Sequence, residues 1–124
     1  EEAHELTGLP VSDTREIAEA GAAICRMGPA NVIVSLGKGG ALLVNGRDVW
    51  KAASPEIIEK NPIGAGDSMV AGMVWGLSEE ADLSEALRRG IACGAATASR
   101  NGTTVGSRAQ VEELLQKVQL EKLQ

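Results

Sequence analysis

Apolar residues along the chain switch between a helical period and short β-branched runs. Glu1 to Gly8 reads as a short helix stopped by Gly8 and Pro10. From about Thr14 to Met27, Ile17, Gly21, Ile24 and Cys25 recur on one helical face, with Ser12 and Asp13 ahead as N-caps and Gly28-Pro29 behind as a stop. Asn31-Val32-Ile33-Val34-Ser35-Leu36-Gly37 is short and mostly apolar, the pattern of a strand buried on both faces of a parallel sheet. Lys38-Gly39-Gly40 turns the chain. Ala41 to Val44 is a second strand, Asn45-Gly46 a hairpin signal, and Asp48 to Ala53 the returning third strand. Ser54-Pro55 breaks it, and Glu56 to Glu59 is either a short fourth strand or an extended lead into a glycine-rich loop. Met69 to Leu77 is helical in period. After a polar connection, Ser84 caps a helix to about Arg100, ended by Asn101-Gly102. Ser107 caps a last helix with Val111, Leu114, Leu115 and Val118 on one face. This alternation of helices and strands with an inserted hairpin predicts an α/β fold with a mixed sheet.

Composition narrows the chemistry. The chain has 124 residues, one domain or part of one, and its hydrophobic content of 44% suffices for a core. With two Trp, no Phe or Tyr and a net charge of −5, stacking on nucleic-acid bases and binding of a phosphate backbone are both disfavoured. Cys25 and Cys93 lack disulfide or metal-ligand spacing and read as buried free thiols of a reducing, cytoplasmic compartment. His4 is the single histidine, which argues against a His-based triad or a His-rich metal site. No apolar run approaches the length of a membrane span.

The candidate chemistry centres on Asn61-Pro62-Ile63-Gly64-Ala65-Gly66-Asp67-Ser68, a glycine-rich loop feeding a helix. A helix start leaves amide N–H groups unpaired and adds positive potential, which suits a phosphate. Asp67 is then either an ordinary first-turn acid or a base for phosphoryl transfer. A second glycine-rich turn, Ser35 to Gly40, follows a strand. Neither turn is a Walker A loop, and Met69 stands where a third dinucleotide-fingerprint glycine would be. Taken alone, the Ser35 turn reads as a strand reversal. The small residues Gly90, Ala92, Cys93, Gly94, Ala95 and Ala96 suit close packing by another element or by a flat ligand.

The stretch NPIGAGDSMVAG, residues 61–72, resembles the signature of the ribokinase-like (PfkB) carbohydrate kinases, and GAGDSMVAG is similar to the branch of 1-phosphofructokinases and tagatose-6-phosphate kinases. Glu2 to Gly8 resembles the family's Asn-x-x-Glu box running into Leu-Thr-Gly, with Glu2 on its Glu. Val34 to Ala41 is similar to the nucleotide-binding strand end, and the small-residue helix with Asn101-Gly102 after it to the helix lining the adenine pocket.

The resemblance implies ATP-dependent phosphoryl transfer to a hydroxyl of a fructose-1-phosphate-like or tagatose-6-phosphate-like acceptor. Asp67 would be the base, and the amides of Gly64, Ala65 and Gly66 the anion hole. Ser35, Gly37 and Gly40 would contact ATP near its phosphates and ribose, and Ile91, Ala95 and Asn101 would border adenine. Glu2 would act through water on Mg²⁺, and a monovalent cation would sit near the carbonyls of Asn61 and Ile63. Pro62 departs from the Thr or Ser common in the family. Since such kinases are about twice as long, residues 1–124 are expected to be one partial domain. It would be the C-terminal, ATP-side part of a three-layer ribokinase-like fold, with a parallel strand plus β-hairpin in its sheet. The sugar-binding half and lid would lie outside it, so the piece alone is expected to be inactive. In related kinases the lid often mediates assembly, a homodimer being one expectation for the parent. Two other readings stand beside this: a non-catalytic nucleotide- or phosphate-binding module, and an α/β domain whose exposed edges drive self-association.

Overall fold

The computed structural model describes residues 1–46, 48–100 and 106–123. In chain order these form α1 (Glu2–Thr7), α2 (Thr14–Arg26), β1 (Val32–Ser35), a 3₁₀ turn at Gly37–Gly39, β2 (Ala41–Asn45), β3 (Asp48–Ala53), α3 (Ala65–Ser78), α4 (Leu83–Ala98), α5 (Arg108–Leu115) and β4 (Gln119–Lys122).

The sheet has the order β1-β2-β3-β4. All three of its pairings are antiparallel, set by registers such as Ser35 opposite Ala41, Leu43 opposite Trp50 and Ala52 opposite Leu120. The expected parallel pairing of Asn31–Gly37 is therefore absent among the described residues. β1 is instead an edge strand, its apolar residues half-buried. The extended segment after β3 pairs with nothing as a strand, which makes Glu56–Glu59 a lead into the Gly64 loop.

Strand periodicity decides the layers. Side chains alternate between faces. On one face of the sheet, Val34 and Val44 meet α2 at Gly21, where an added Cβ would come 2.7 Å from a Val44 methyl. On the other, Ala41, Leu43 and Ala52 join Leu87, Ile91, Ala92 and Ala96 of α4 in the main core. The central strand β2 is thus buried on both sides, from Ala41 through Val44. The result is a helix–sheet–helix sandwich with α3 and α5 packed on α4.

Several local expectations are corrected. Asp82, not Ser84, caps α4: its Oδ1 accepts from the Glu85 amide at 2.9 Å, and the Ser84 hydroxyl donates to the same oxygen at 2.6 Å. A carboxylate accepting both outcompetes a hydroxyl inside the first turn. The last helix stops at Leu115, and Val118 is buried from the closing turn that leads into β4. That strand was hidden because Gln119-Leu120-Glu121-Lys122 carries a single apolar residue, as an edge strand can. Cys25 and Cys93 are free thiols but half-buried rather than buried. Burial still pushes the Cys93 thiol up from its ordinary value. As expected, Asp13 caps α2, and Ser107 with Gln110 forms a reciprocal capping box on α5. No helix among the described residues is long and apolar enough to cross a membrane.

Leu87 is fully buried at the centre of the α4–sheet contact. Leu87→Ala is expected to cost about 2–5 kcal/mol, read by urea denaturation, and a loss below about 1 kcal/mol would show that the site collapses around the cavity.

Acid is expected to loosen the fold at the α3–α4 turn. There a hydrogen bond from Arg89 lowers the Glu79 carboxyl, and bonds from Ser84 and the Glu85 amide lower Asp82. Burial would raise Glu85, but hydrogen bonds from Arg88 and Arg89 outweigh it and lower it too. Each group titrates lower folded than unfolded, so its ionised form favours the fold. That contribution is present above the ordinary values of 4.5, 3.8 and 4.5 for Glu79, Asp82 and Glu85, and is lost as pH falls through the folded values. The melting temperature is expected to fall between about pH 5 and pH 3, with a shallower fall in Glu85→Gln. An unchanged slope in that variant would assign the acid sensitivity elsewhere.

Candidate active site

The Gly64 loop is held in place by backbone bonds. The amides of Lys60 and Asn61 both donate to the Ala98 carbonyl at the end of α4, at 2.9 and 3.1 Å. The Ile63 amide donates to Asn61 Oδ1 at 3.0 Å, closing an Asx turn. Gly64 then caps α3 with φ 87°, a left-handed conformation that glycine adopts without strain. The Ser68 amide donates to the Gly64 carbonyl at 2.9 Å and starts the helix. The Ala65 amide donates to Pro62 O at 3.1 Å, whereas those of Gly64, Gly66 and Asp67 have no backbone partner among the described residues. Of the three expected anion-hole amides, two are therefore unpaired and Ala65 is engaged.

Behind this loop lies the contact of α3 with α4, made close by glycine. A Cβ on Gly72 would lie 2.8 Å from the Arg89 carbonyl oxygen, and one on Gly90 2.7 Å from Met73 Cγ. The small residues of α4 thus bear out the first alternative read from the sequence, close packing by another element. Gly90 and Gly94 receive α3, while Ile91, Ala95 and Ala98 help to line an open cleft of about 840 Å³.

That cleft gathers pieces far apart in sequence. Ser35 comes from the end of β1, Gly37 and Gly40 from the turn after it, Ala65 and Gly66 from the start of α3, and Ile91 and Ala95 from α4. Gly40 is shaped for its place, with φ 95° and its α-carbon against the end of β3. Sequence reading missed the lead Ser54–Ile57 and Glu59, which also line the cleft. Its only signal was a proline break just before the glycine motif. Lys38 is the one cation among the described lining residues, with Glu56 and Glu59 as the acids.

Three expected site residues, Glu2, Gly64 and Asp67, are not among those lining the cleft. Glu2 is exposed on α1 and is not part of the cleft wall. Asn101 lies outside the described residues. Asp67 is exposed in the first turn of α3 and, among the described residues, makes no hydrogen bond or ion pair. At about 100° per residue, it projects from the opposite side of the turn to Ala65 and Met69, which line the cleft. It stands at the head of an exposed helix face that continues through Val70 and Val74, 58% and 59% exposed. Asp67 is therefore not among the residues that line the cleft, although its neighbour Gly66 is.

The same segments carry the likeness to known proteins. Residues 1–110 match the pfkB family of carbohydrate kinases. A 1-phosphofructokinase of Escherichia coli K12 is 32% identical over 92% of this chain and 36% of its own length. One from Bacillus subtilis is 35% identical over 96% of this chain and 39% of its own. Among solved structures, Escherichia coli phosphofructokinase-2 in complex with potassium superposes with a TM-score of 0.85 at 31% identity, over 93% of this chain and 38% of that one. Arabidopsis thaliana ribokinase with ribose and ATP gives 0.84 at 27% identity, over 92% and 38%. The chain therefore spans well under half the length of the relatives it matches. With a family match over most of its residues and the glycine loop, cleft and helix pair assembled in that order, this chain belongs to the pfkB family of carbohydrate kinases.

Proposed function

We propose that residues 1–124 form the nucleotide side of an ATP-dependent kinase that phosphorylates a hydroxyl of a sugar phosphate of the fructose-1-phosphate or tagatose-6-phosphate type. The observation that carries this is the convergence of the Ser35–Gly40 turn, the start of α3 and the apolar face of α4 on one cleft. Phosphoryl transfer needs positioning and charge stabilisation more than covalent chemistry. In this reading Ile91 and Ala95 flank the adenine, with Asn101 at its edge. Ser35, Gly37 and Gly40 border the ribose and phosphates. The α3 N-terminus stabilises the moving phosphoryl group through the Gly64 and Gly66 amides, and Ala65 contributes if its bond to Pro62 opens. Asp67 accepts the acceptor's hydroxyl proton.

Mg²⁺ would be held mainly by the nucleotide's phosphates and water, supplying charge neutralisation. Among the described residues, no three His, Cys, Asp or Glu side chains are grouped to hold an ion by themselves. Glu2 would act through water. A monovalent cation near the Asn61 and Ile63 carbonyls would share the loop; the phosphofructokinase-2 neighbour was solved in complex with potassium.

A second reading, nucleotide binding without turnover, is favoured for the isolated chain by the placement of Asp67. Its side chain is exposed and is not among the residues that line the cleft. Titration calorimetry with Mg-ATP is expected to show saturable 1:1 binding to the 124-residue chain without sugar-dependent ATP consumption. No heat at millimolar nucleotide would refute the cleft as an ATP site. Ketose-phosphate-dependent turnover by this chain would refute the inactivity.

A further inference from the structure

Thr97 is the one buried polar residue among those described, 3% exposed near the end of α4. Nothing in the sequence singles it out except being the lone hydroxyl in a run of glycine, alanine and cysteine. Its hydroxyl sits at a junction. Thr97 Oγ1 lies 2.8 Å from Ser68 Oγ, the residue after Asp67, and accepts from the Gly106 amide at 3.2 Å. Its methyl lies where a Cβ on Gly64 would be 4.0 Å away. The neighbouring Ala98 carbonyl takes the two amides that anchor the other end of the loop. One turn of α4 therefore fixes the Gly64 loop from both sides. The Gly106 bond ties the same turn to the segment that returns after α4.

We infer that Thr97 is a positioning residue for phosphate binding. Through Ser68 it sets the angle at which the α3 N-terminus presents its unpaired amides to the cleft, while touching no ligand itself. The inference rests on the cleft being a nucleotide site. A hydroxyl can serve both partners here because it carries one proton and two lone pairs. Valine has the same shape and neither capacity, and it leaves Ser68 Oγ and the Gly106 amide to find new partners in a partly buried place. Serine keeps the hydroxyl and loses only the methyl.

The test compares the wild-type chain, Thr97→Val and Thr97→Ser, with Mg-ATP and adenosine as the two probes. Thr97→Val is expected to weaken Mg-ATP about tenfold, as loss of one buried hydrogen-bonded link would. Adenosine should stay within about twofold, and Thr97→Ser should hold Mg-ATP within about threefold of wild type. Hydrogen exchange supplies a ligand-free readout. The Ser68 amide is expected to exchange about tenfold faster in Thr97→Val, with α2 amides unchanged. Unaltered Mg-ATP affinity in Thr97→Val, or parallel weakening of adenosine and Mg-ATP, would overturn the inference. If wild type binds neither probe, the nucleotide reading itself falls. If wild type binds both and Thr97→Val matches it, only the role of Thr97 falls.

Discussion

Asp67→Asn, placed in an active chain that contains these 124 residues, is expected to lower kcat by about 10²–10⁴-fold while the nucleotide dissociation constant changes little. The two effects separate because of where the side chain stands. Asp67 leaves α3 on the side away from the cleft wall formed by Ala65, Gly66 and Met69. Since Asp67 is not among the cleft-lining residues, Asn is expected to leave ATP binding intact. An acceptor approaching over the exposed face of α3 would meet the carboxylate first. Asn retains shape and hydrogen-bonding reach but cannot accept the proton. The alternative, an acid that only complements the dipole, makes the opposite forecast: a stability change of about 0.3–1 kcal/mol and full turnover. Steady-state kinetics and a denaturation curve on the same variant decide between them.

Gly40→Ala is expected to be among the most damaging single substitutions in the chain, at about 3–5 kcal/mol or outright failure to fold. Two penalties coincide. Gly40 has φ 95° and ψ −132°, a region hostile to side chains, and an added Cβ would lie 1.9 Å from the Ala52 carbonyl oxygen and 2.9 Å from the Ser54 amide nitrogen. The Ala52 oxygen belongs to β3 backbone paired with β2 on one side and β4 on the other, and the Ser54 nitrogen lies just past that strand's end. They cannot swing aside as the tip of a long side chain could. Gly37 provides the control. Its φ is 61°, but open space surrounds its Cβ position, so Gly37→Ala pays for conformation alone, about 1–2 kcal/mol. Chemical denaturation should show a loss of stability at least about 1 kcal/mol larger for Gly40→Ala than for Gly37→Ala. Equal losses would mean that the β3 backbone relaxes and the close approach is not what requires glycine.

Much of the site was legible because its signals are local. A glycine pair before an apolar helical run with an acid in the first turn says that amides are exposed at a helix start, and α3 begins at Ala65 with Gly64 left-handed. Helix caps at Asp13 and Ser107 were equally local. Misreadings arose where two local signals competed or where pairing was remote. Ser84 and Asp82 both offered a cap, and the carboxylate won because its oxygen collects the Glu85 amide and the Ser84 hydroxyl together. The Ser35 turn looked like a reversal, and it is one. Its second role, as a wall of the cleft, depends on α3 and α4 arriving from elsewhere.

By itself the sequence determined the element types over most of the chain, the two glycine-rich turns, the small-residue character of α4 and the family resemblance carried by residues 61–72. All of these depend on spacing within a few residues, or on a motif read whole. Tertiary structure alone decided that β1 is an edge strand with an antiparallel partner, since Val and Ile runs look alike whatever lies beside them. It decided that Gln119–Lys122 completes the sheet, because an edge strand needs hydrogen bonds more than apolar residues. It also decided which face of α3 each residue of the glycine motif occupies. That placed Gly66 on the cleft, Asp67 on the far side and Ser68 against Thr97, a division set by the helical turn and by the close seat of α3 on α4.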